Sequence, residues 1–252
     1  MLKISVVIPT LQKNLLFLEN LLASLDKDTC VDEIIVIDNS CKGLDYKSDK
    51  LRVVIPNENL FVNPSWNLGV KEAKNEIVAL LNDDIIIPDG FCSSVAEKMA
   101  AEPREKVGCI GFCADNILET KDLEQNPEKT NLTLKKVNGR SLYWGIAIFF
   151  YKNSYHQIPE ELKIYCGDDW IFVQNQKCKK QNYNICGQNI YHYQSLSSGE
   201  KVLNHICKND IKLYRKLIYK WWQWIFNFEF VYKGFRVTIF GIKFMFHYGK
   251  KH

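Results

Sequence analysis

Four short apolar runs mark the first third of the chain, and each stops at polar or turn-forming residues. Ile4-Ser5-Val6-Val7-Ile8 ends at Pro9-Thr10, and Ile34-Ile35-Val36-Ile37 ends at Asp38-Asn39-Ser40. Leu51-Arg52-Val53-Val54-Ile55 ends at Pro56-Asn57, and Ile77-Val78-Ala79-Leu80-Leu81 ends at Asn82-Asp83-Asp84. Runs of this length with continuous rather than alternating hydrophobicity predict parallel strands covered on both faces. Between them the spacing turns helical. Apolar residues at 15, 18, 21, 22 and 25 predict a helix from about Leu15 to Leu25, and Ser65 to Asn75 predicts another. Strands alternating with helices predict an α/β fold with a mostly parallel sheet, flanked by helices and joined by right-handed crossovers. Thr10, Asp38, Asn57, Asp83 and Asp84 then converge at the strand ends on one crevice, where open α/β sheets bind ligands.

The pattern changes further on. Ala114 to Lys136 is polar and rich in Glu, Asn and Lys, which predicts a long excursion or flexible loop. Asn184 to Ile190 is strand-like. Ile211 to Tyr232 carries apolar residues at 211, 214, 218, 221, 222, 225 and 228, close to helical spacing, and Val237 to Phe246 predicts a hairpin around Gly241.

Charge sets a boundary in this pattern. From Lys208 to His252 there are 10 Lys/Arg and 2 Asp/Glu, whereas residues 1 to 207 hold 23 basic and 27 acidic residues. The division predicts a boundary near 198 to 208 that closes a first domain over 1–200. A basic, aromatic extension follows over 201–252. Lys212, Arg215, Lys216 and Lys220 precede Trp221, Trp222 and Trp224, which suits peripheral contact with a membrane surface through 208–252. The segment is too charged to span a bilayer. The competing reading is a helix and hairpin docked on the catalytic domain or on a second subunit. Nucleic acid is a poorer fit, since the basic residues lack a reading motif.

Nine cysteines, an odd number at irregular spacing, predict free reduced thiols in a cytoplasmic protein, and no secretory signal is visible at the start of the sequence. Cys109 and Cys113 form a CxxxC that matches no structural zinc spacing.

The two carboxylates of Asn82-Asp83-Asp84 are hard oxygen ligands that suit Mg²⁺ or Mn²⁺, and such ions hold phosphates. Asp pairs are also common in turns. The context extends the motif. Val7-Ile8-Pro9-Thr10, Ile37-Asp38-Asn39-Ser40, Asn59 followed by Trp66-Asn67-Leu68-Gly69, and Leu81-Asn82-Asp83-Asp84 occur in order. Gly145-Ile146-Ala147, Gly167-Asp168-Asp169 and Tyr191-His192 follow. Over residues 3 to 198 the sequence resembles family 2 glycosyltransferases of the GT-A, Rossmann-like fold.

The resemblance implies inverting transfer of a sugar from a nucleotide-sugar (UDP-, GDP- or dTDP-linked) to a hydroxyl of a glycan or lipid-linked glycan. Bacterial surface polysaccharide or lipopolysaccharide synthesis, on the inner face of the cell membrane, is a plausible setting. It also implies a catalytic domain over 1–200, with a nucleotide-binding half over about 1–90 and an acceptor half over about 91–200, and roles for individual residues. Asp84 is the metal ligand, for Mn²⁺ or Mg²⁺, and Asp83 contacts ribose or sugar. Asn82 departs from a strict Asp-x-Asp. Asp38 accepts from the base or ribose, with Pro9 and Thr10 in the same pocket and Asn59 and Asn67 on the nucleotide side. Asp38-Asn39-Ser40 equally suits an Asx-turn or helix N-cap. Phe61 stands where a Gly is frequent in the family. Asp169 is the general base, with Asp168 raising its pKa by like-charge repulsion; an N-cap ahead of Trp170 is the competing reading. His192 approaches metal or diphosphate, or packs between its tyrosines. Trp144 stacks on a sugar or is core, and Gly145 leaves room for it. Ser195, Ser197 and Ser198 belong to a loop that closes over the donor.

Three competitors stand beside this reading. A nucleotidyltransferase usually has a Gly-rich loop after the first strand, and Pro9 to Asn14 has no glycine. A dinucleotide oxidoreductase needs G-x-G-x-x-G there. A non-catalytic nucleotide-sugar-binding or scaffold relative would not need Asp84 and Asp169, which this chain retains.

Overall fold

The computed structural model describes residues 2–193, 201–231 and 234–248. The four apolar runs form β1 (Ile4–Thr10), β2 (Val31–Asp38), β3 (Leu51–Val54) and β4 (Ile77–Leu81), which lie side by side in the order β3-β2-β1-β4, all parallel. The sheet continues through β9 (Ala147–Tyr151), β6 (Val107–Phe112), β10 (Gln181–Cys186) and β8 (Thr133–Val137). β9 is antiparallel to both β4 and β6, while β10 is parallel to β6 and antiparallel to β8. Six of the eight strands therefore share one direction, and only β9 and β8 oppose it.

The continuous apolar runs are explained by two covered faces. Ile4, Val6 and Ile8 of β1 and Ile77, Ala79 and Leu81 of β4 point into one core, packed on Leu18, Leu21, Leu22 and Leu25 of α1 (Leu15–Lys27). Val7, Ile35, Ile37, Val78 and Leu80 point to the opposite side, against Trp66 and Val70 of α2 (Val62–Glu72). α3 (Phe91–Ala100) joins the first core, and α4 (Gly167–Lys177) the second through Ile171 and Phe172. α2 begins three residues before the predicted start. Its N-cap, Phe61, has φ 66, so the position where glycine is frequent keeps a left-handed backbone without a glycine.

Residues 114–136 are not one flexible loop. A 3-10 turn leads into β7 (Ile117–Thr120), and β8 closes the segment. β7 joins a small sheet in the order β5-β11-β7, with β5 (Ile85–Ile86) and β11 (Ile190–Tyr193). Both β7 and β8 expose much of their surface, so neither carries an apolar run that the sequence could reveal.

The extension differs from its prediction too. α5 spans Lys201–Ile218 and stops well short of Tyr232. A 3-10 turn follows at Trp221–Trp224, then a meander of β12 (Phe226–Val231), β13 (Gly234–Ile239) and β14 (Ile242–His247). Beyond residue 225 the apolar period is two, at Phe226, Phe228 and Phe230, and strand pairing with β13 overrides the helical reading. The predicted hairpin around Gly241 is present as β13–β14. α5 is fastened to the domain by Asp210. This buried carboxylate accepts the backbone N–H groups of Lys163, Ile164 and Tyr165 at 3.2, 2.7 and 2.9 Å. None of the nine cysteines forms a disulfide. Among the described residues no helix is long and apolar enough to cross a membrane.

Candidate active site

The site begins where β4 ends. Asn82-Asp83-Asp84 connects β4 to β5, and β11 pairs with β5 so that His192 lies opposite Ile85. The Tyr193 amide donates to the Asp84 carbonyl at 2.8 Å, which fixes that register. As a result His192 Nε2 lies 3.4 Å from Asp84 Oδ1. Asp84 is buried, and its Oδ1 has no hydrogen-bond partner. A buried carboxylate oxygen left unpaired is costly. An oxygen and an imidazole nitrogen this close are a donor pair that fits Mn²⁺ or Mg²⁺, provided phosphate oxygens or water complete the shell. Among the described residues no group of three or more His, Cys, Asp or Glu that could hold a metal ion gathers around one point. Asp83 is held by the Thr10 hydroxyl, which donates to its Oδ2 at 2.5 Å. Burial, then the charge of Asp84, pushes the Asp83 carboxyl up to about 7.

The residues assigned to the nucleoside are hydrogen-bonded within the protein. Thr10 and Asp38 are paired across β1 and β2, and both are buried. Asp38 Oδ1 accepts the Ser40 amide at 2.9 Å and hydroxyl at 2.6 Å, and Oδ2 accepts the amides of Lys42 at 3.2 Å and Gly43 at 2.8 Å. Burial works to raise its pKa, but the bonds from Ser40 and Gly43 outweigh it and hold the carboxyl below its ordinary range. Asp38 thus shapes the 40–43 loop, as the Asx-turn reading expects. Asn67 is likewise engaged. Its amide donates to the Ile158 carbonyl at 2.8 Å, and its oxygen accepts the Tyr155 hydroxyl at 2.6 Å and the Ile158 amide at 3.0 Å. It braces α2 against 155–158. Asn59 Oδ1 accepts the Phe61 amide at 2.8 Å and supports the left-handed turn there. Pro9 is half-buried beside Thr10.

The second carboxylate pair opens α4. Cys166, with φ 64, is its N-cap, so Asp168 and Asp169 occupy the first helical turn and neither caps it. Gly167 is required here because a Cβ would overlap the buried Asn63 oxygen. Arg140, which the sequence did not single out, binds both acids. Its Nε and NH2 donate to Asp169 Oδ1 at 2.6 Å and Oδ2 at 3.1 Å, and its NH1 donates to Asp168 Oδ2 at 2.9 Å. Burial, then the Asp168 charge, raises the Asp169 pKa against the opposing pull of Arg140. Both effects push the same way, and burial is the larger.

The segment 140–146 links the two pairs. Ser141 anchors it by donating to the Phe112 carbonyl at 2.8 Å. The Asn82 amide donates to the Ile146 carbonyl at 3.0 Å, tying the segment to the end of β4. Tyr143, with φ 55 and mostly exposed, sets its ring 6.2 Å from that of His192. Gly145 lies against Asp168, where a Cβ would fall 2.9 Å from Oδ2. Trp144 does not face a sugar. It is fully buried against Phe172, and its indole N–H donates to Asn184 Oδ1 at 3.1 Å. The exposed aromatic of this segment is Tyr143, one residue earlier. Ser195, Ser197 and Ser198 lie outside the described residues.

No motif marks Arg140, which precedes the Gly145 motif by five residues in a polar stretch. A cation near paired acids is a signal only once the fold brings 140 to 168.

The family model described as Glycosyl transferase family 2 matches residues 5–174. No curated protein matches the chain at a significant level. Among solved structures, S. aureus TarS 1–349 in complex with UDP is similar, with TM-score 0.56 and 16% identity over 89% of this chain and 78% of that one. TarS 1–349 on its own gives TM-score 0.52 and 15% identity over 76% of this chain and 60% of that one. The longer TarS structure gives 0.52 and 14% over 81%, and this chain spans 39% of its length. At such identities the likeness is one of fold, a GT-A type mixed α/β domain. With the family model covering residues 5–174, more than half of the chain, the protein belongs to glycosyl transferase family 2.

Proposed function

We propose that this chain is an inverting glycosyltransferase that moves a sugar from a nucleoside-diphosphate sugar to a hydroxyl of a glycan or lipid-linked glycan. The observation that carries the reading is the segment 140–146, which joins the Asp84–His192 pair to the Asp168–Asp169–Arg140 cluster. Asp84 and His192 would hold Mn²⁺ or Mg²⁺, which when bound neutralises charge on a departing diphosphate. Asp83, held by Thr10, contacts ribose or sugar. Asp169 takes the proton of the acceptor hydroxyl. Arg140 uses one lone pair on each Asp169 oxygen and leaves the others for that hydroxyl. The acceptor oxygen bonds to the anomeric carbon, and the carbon–oxygen bond to the diphosphate breaks with its electrons going to the nucleotide. Attack opposite the leaving group inverts the centre. A UDP complex of a neighbour of the same fold supports a nucleoside-diphosphate donor. The basic, aromatic residues 208–252 support peripheral contact with an anionic membrane and a role in surface-polysaccharide synthesis.

The test is nucleotide release from a panel of UDP-, GDP- and dTDP-sugars, with and without candidate glycan acceptors. Release of one nucleotide, lost on adding EDTA, supports the reading and names the donor. Absence of release together with absence of calorimetric nucleotide binding contradicts it.

A further inference from the structure

The C-terminal meander is built inside out. Its strand registers place Phe226, Phe228 and Phe230 of β12 on the same face as Ile242, Phe244 and Phe246 of β14, and the three intervening β13 positions on that face are apolar as well. All six named side chains are exposed, between 45% and 63%. Phe228, Phe235 and Phe246 form a stacked row, with centroids 5.4 and 4.8 Å apart. On the opposite face β12 and β13 turn polar residues inward, while Lys243, Met245 and His247 of β14 are exposed. Asn227 and Thr238 are buried, Arg236 pairs with Glu229, and the Tyr219 hydroxyl of α5 donates to Glu229. A sheet with one solvated face normally shows water its polar side. The apolar surface continues past the sheet end to Phe240, 78% exposed in the β13–β14 turn, and to Trp222 and Ile225 beside it.

We propose that this outward face seats the protein on an anionic lipid surface. The inference rests on the reading of 208–252 as a membrane-contact region, and it replaces the expected amphipathic helix with the sheet as the inserting element. α5 cannot be that element along its docked side, because Asp210, Leu213 and Tyr214 hold it on the catalytic domain. Charge selects the occupant. Residues 208–252 hold 10 basic and 2 acidic residues, against 23 and 27 in the rest of the chain. Lys208, Lys212, Arg215 and Lys216 rim a shallow cleft on α5, and Lys243 on β14 lies near Arg215. A second copy seated face to face would bring two such cationic extensions together. No face position offers a hydrogen-bonding or charged side chain to a protein partner, whereas protein interfaces carry a set of specific polar contacts. Acyl chains need none, and anionic headgroups complement the cations of α5 and Lys243 on the polar side of the sheet.

The experiment is co-sedimentation of the full chain with phosphatidylcholine vesicles containing or lacking phosphatidylglycerol. The comparison variants are the double substitution Phe228→Asp/Phe244→Asp and the single substitution Phe240→Ser. Circular dichroism and a thermal melt check that each is folded, and the exposed turn variant covers the case in which the double variant is not. The unmodified chain binds the anionic vesicles, binds them less at high salt, and loses roughly tenfold or more of its partitioning in the variants. Binding that persists in the folded variants overturns the sheet proposal alone. No binding by the unmodified chain overturns the membrane reading with it. A dimer in solution that the variants dissociate, without vesicle binding, identifies a second copy as the occupant and also overturns the proposal.

Discussion

Arg140 grips Asp169 through two parallel hydrogen bonds, Nε to Oδ1 at 2.6 Å and NH2 to Oδ2 at 3.1 Å. The same guanidinium reaches Asp168 at 2.9 Å, so one cation organises the carboxylates proposed to receive the acceptor proton. Replacing Arg140 with Ala leaves two partly buried acids facing each other. Removing one partner of a buried ion pair costs about 3–5 kcal/mol, and the partial exposure of this cluster puts it toward the lower end. Arg140→Ala is therefore predicted to lower the melting temperature and to reduce kcat by at least tenfold. Lysine keeps the charge but not the fork, so Arg140→Lys recovers stability better than rate. Thermal melts read beside kinetics check this.

The pH dependence has a definite sign. Burial and the Asp168 charge raise the Asp169 pKa above the ordinary carboxylate value. The base works only when deprotonated, so activity falls as pH drops through that raised value, and the acid limb lies above the usual carboxylate range. Stability runs the other way. A carboxylate with a raised folded-state pKa contributes most below its unfolded value, and the contribution is lost as pH rises through the folded one. In Arg140→Ala the opposing pull is gone, and the acid limb of kcat/KM shifts to higher pH. An acid limb that stays in place contradicts the assignment of Asp169 as base.

Gly145 packs on Asp168 with no room for a methyl group, since a Cβ would fall 2.9 Å from Oδ2. Gly145→Ala displaces either the 140–146 segment or the acid. The prediction is a fall in kcat of about tenfold or more with a much smaller change in melting temperature, measured by steady-state kinetics.

Asp210 serves three backbone amides at the entry to α4. Asp210→Ala strands them without an acceptor, and hydrogen bonds to a charged group are each worth about 1.5–3 kcal/mol. The variant is predicted to lose several degrees of melting temperature and to expose the α5 junction to limited proteolysis. Unchanged cleavage would mean that α5 is held elsewhere.

The parallel half of the fold was legible because β1, β2 and β4 are covered on both faces and keep continuous apolar runs. The edges were not. β7 and β8 are half exposed and polar, and their pairing depends on partners far along the chain. The sequence marked Asp84, His192, Asp168 and Asp169, and the fold places each pair together. It could not mark Arg140, since nothing local joins residue 140 to 168. Strand-end position made Asp38, and its place beside the Gly145 motif made Trp144, resemble ligand contacts. Hydrogen bonding commits Asp38 to its own loop, and packing commits Trp144 to the core. The helical spacing past residue 218 failed because the aromatic spacing of 226, 228 and 230 obeys a two-residue period, and tertiary pairing decided between the two.

The central claim is that two separate groups, Asp84 with His192 and Asp169 with Arg140, bind the donor and activate the acceptor. Donor binding by calorimetry, in parallel with nucleotide release, tests it directly in the wild type, Asp84→Ala and Asp169→Asn with Mn²⁺ present. Asp84→Ala is predicted to lose both binding and release. Asp169→Asn keeps binding within a few-fold and loses release by at least a hundredfold. An Asp169→Asn variant that releases nucleotide to acceptor at the wild-type rate, or an Asp84→Ala variant with unchanged metal-dependent binding, would contradict it.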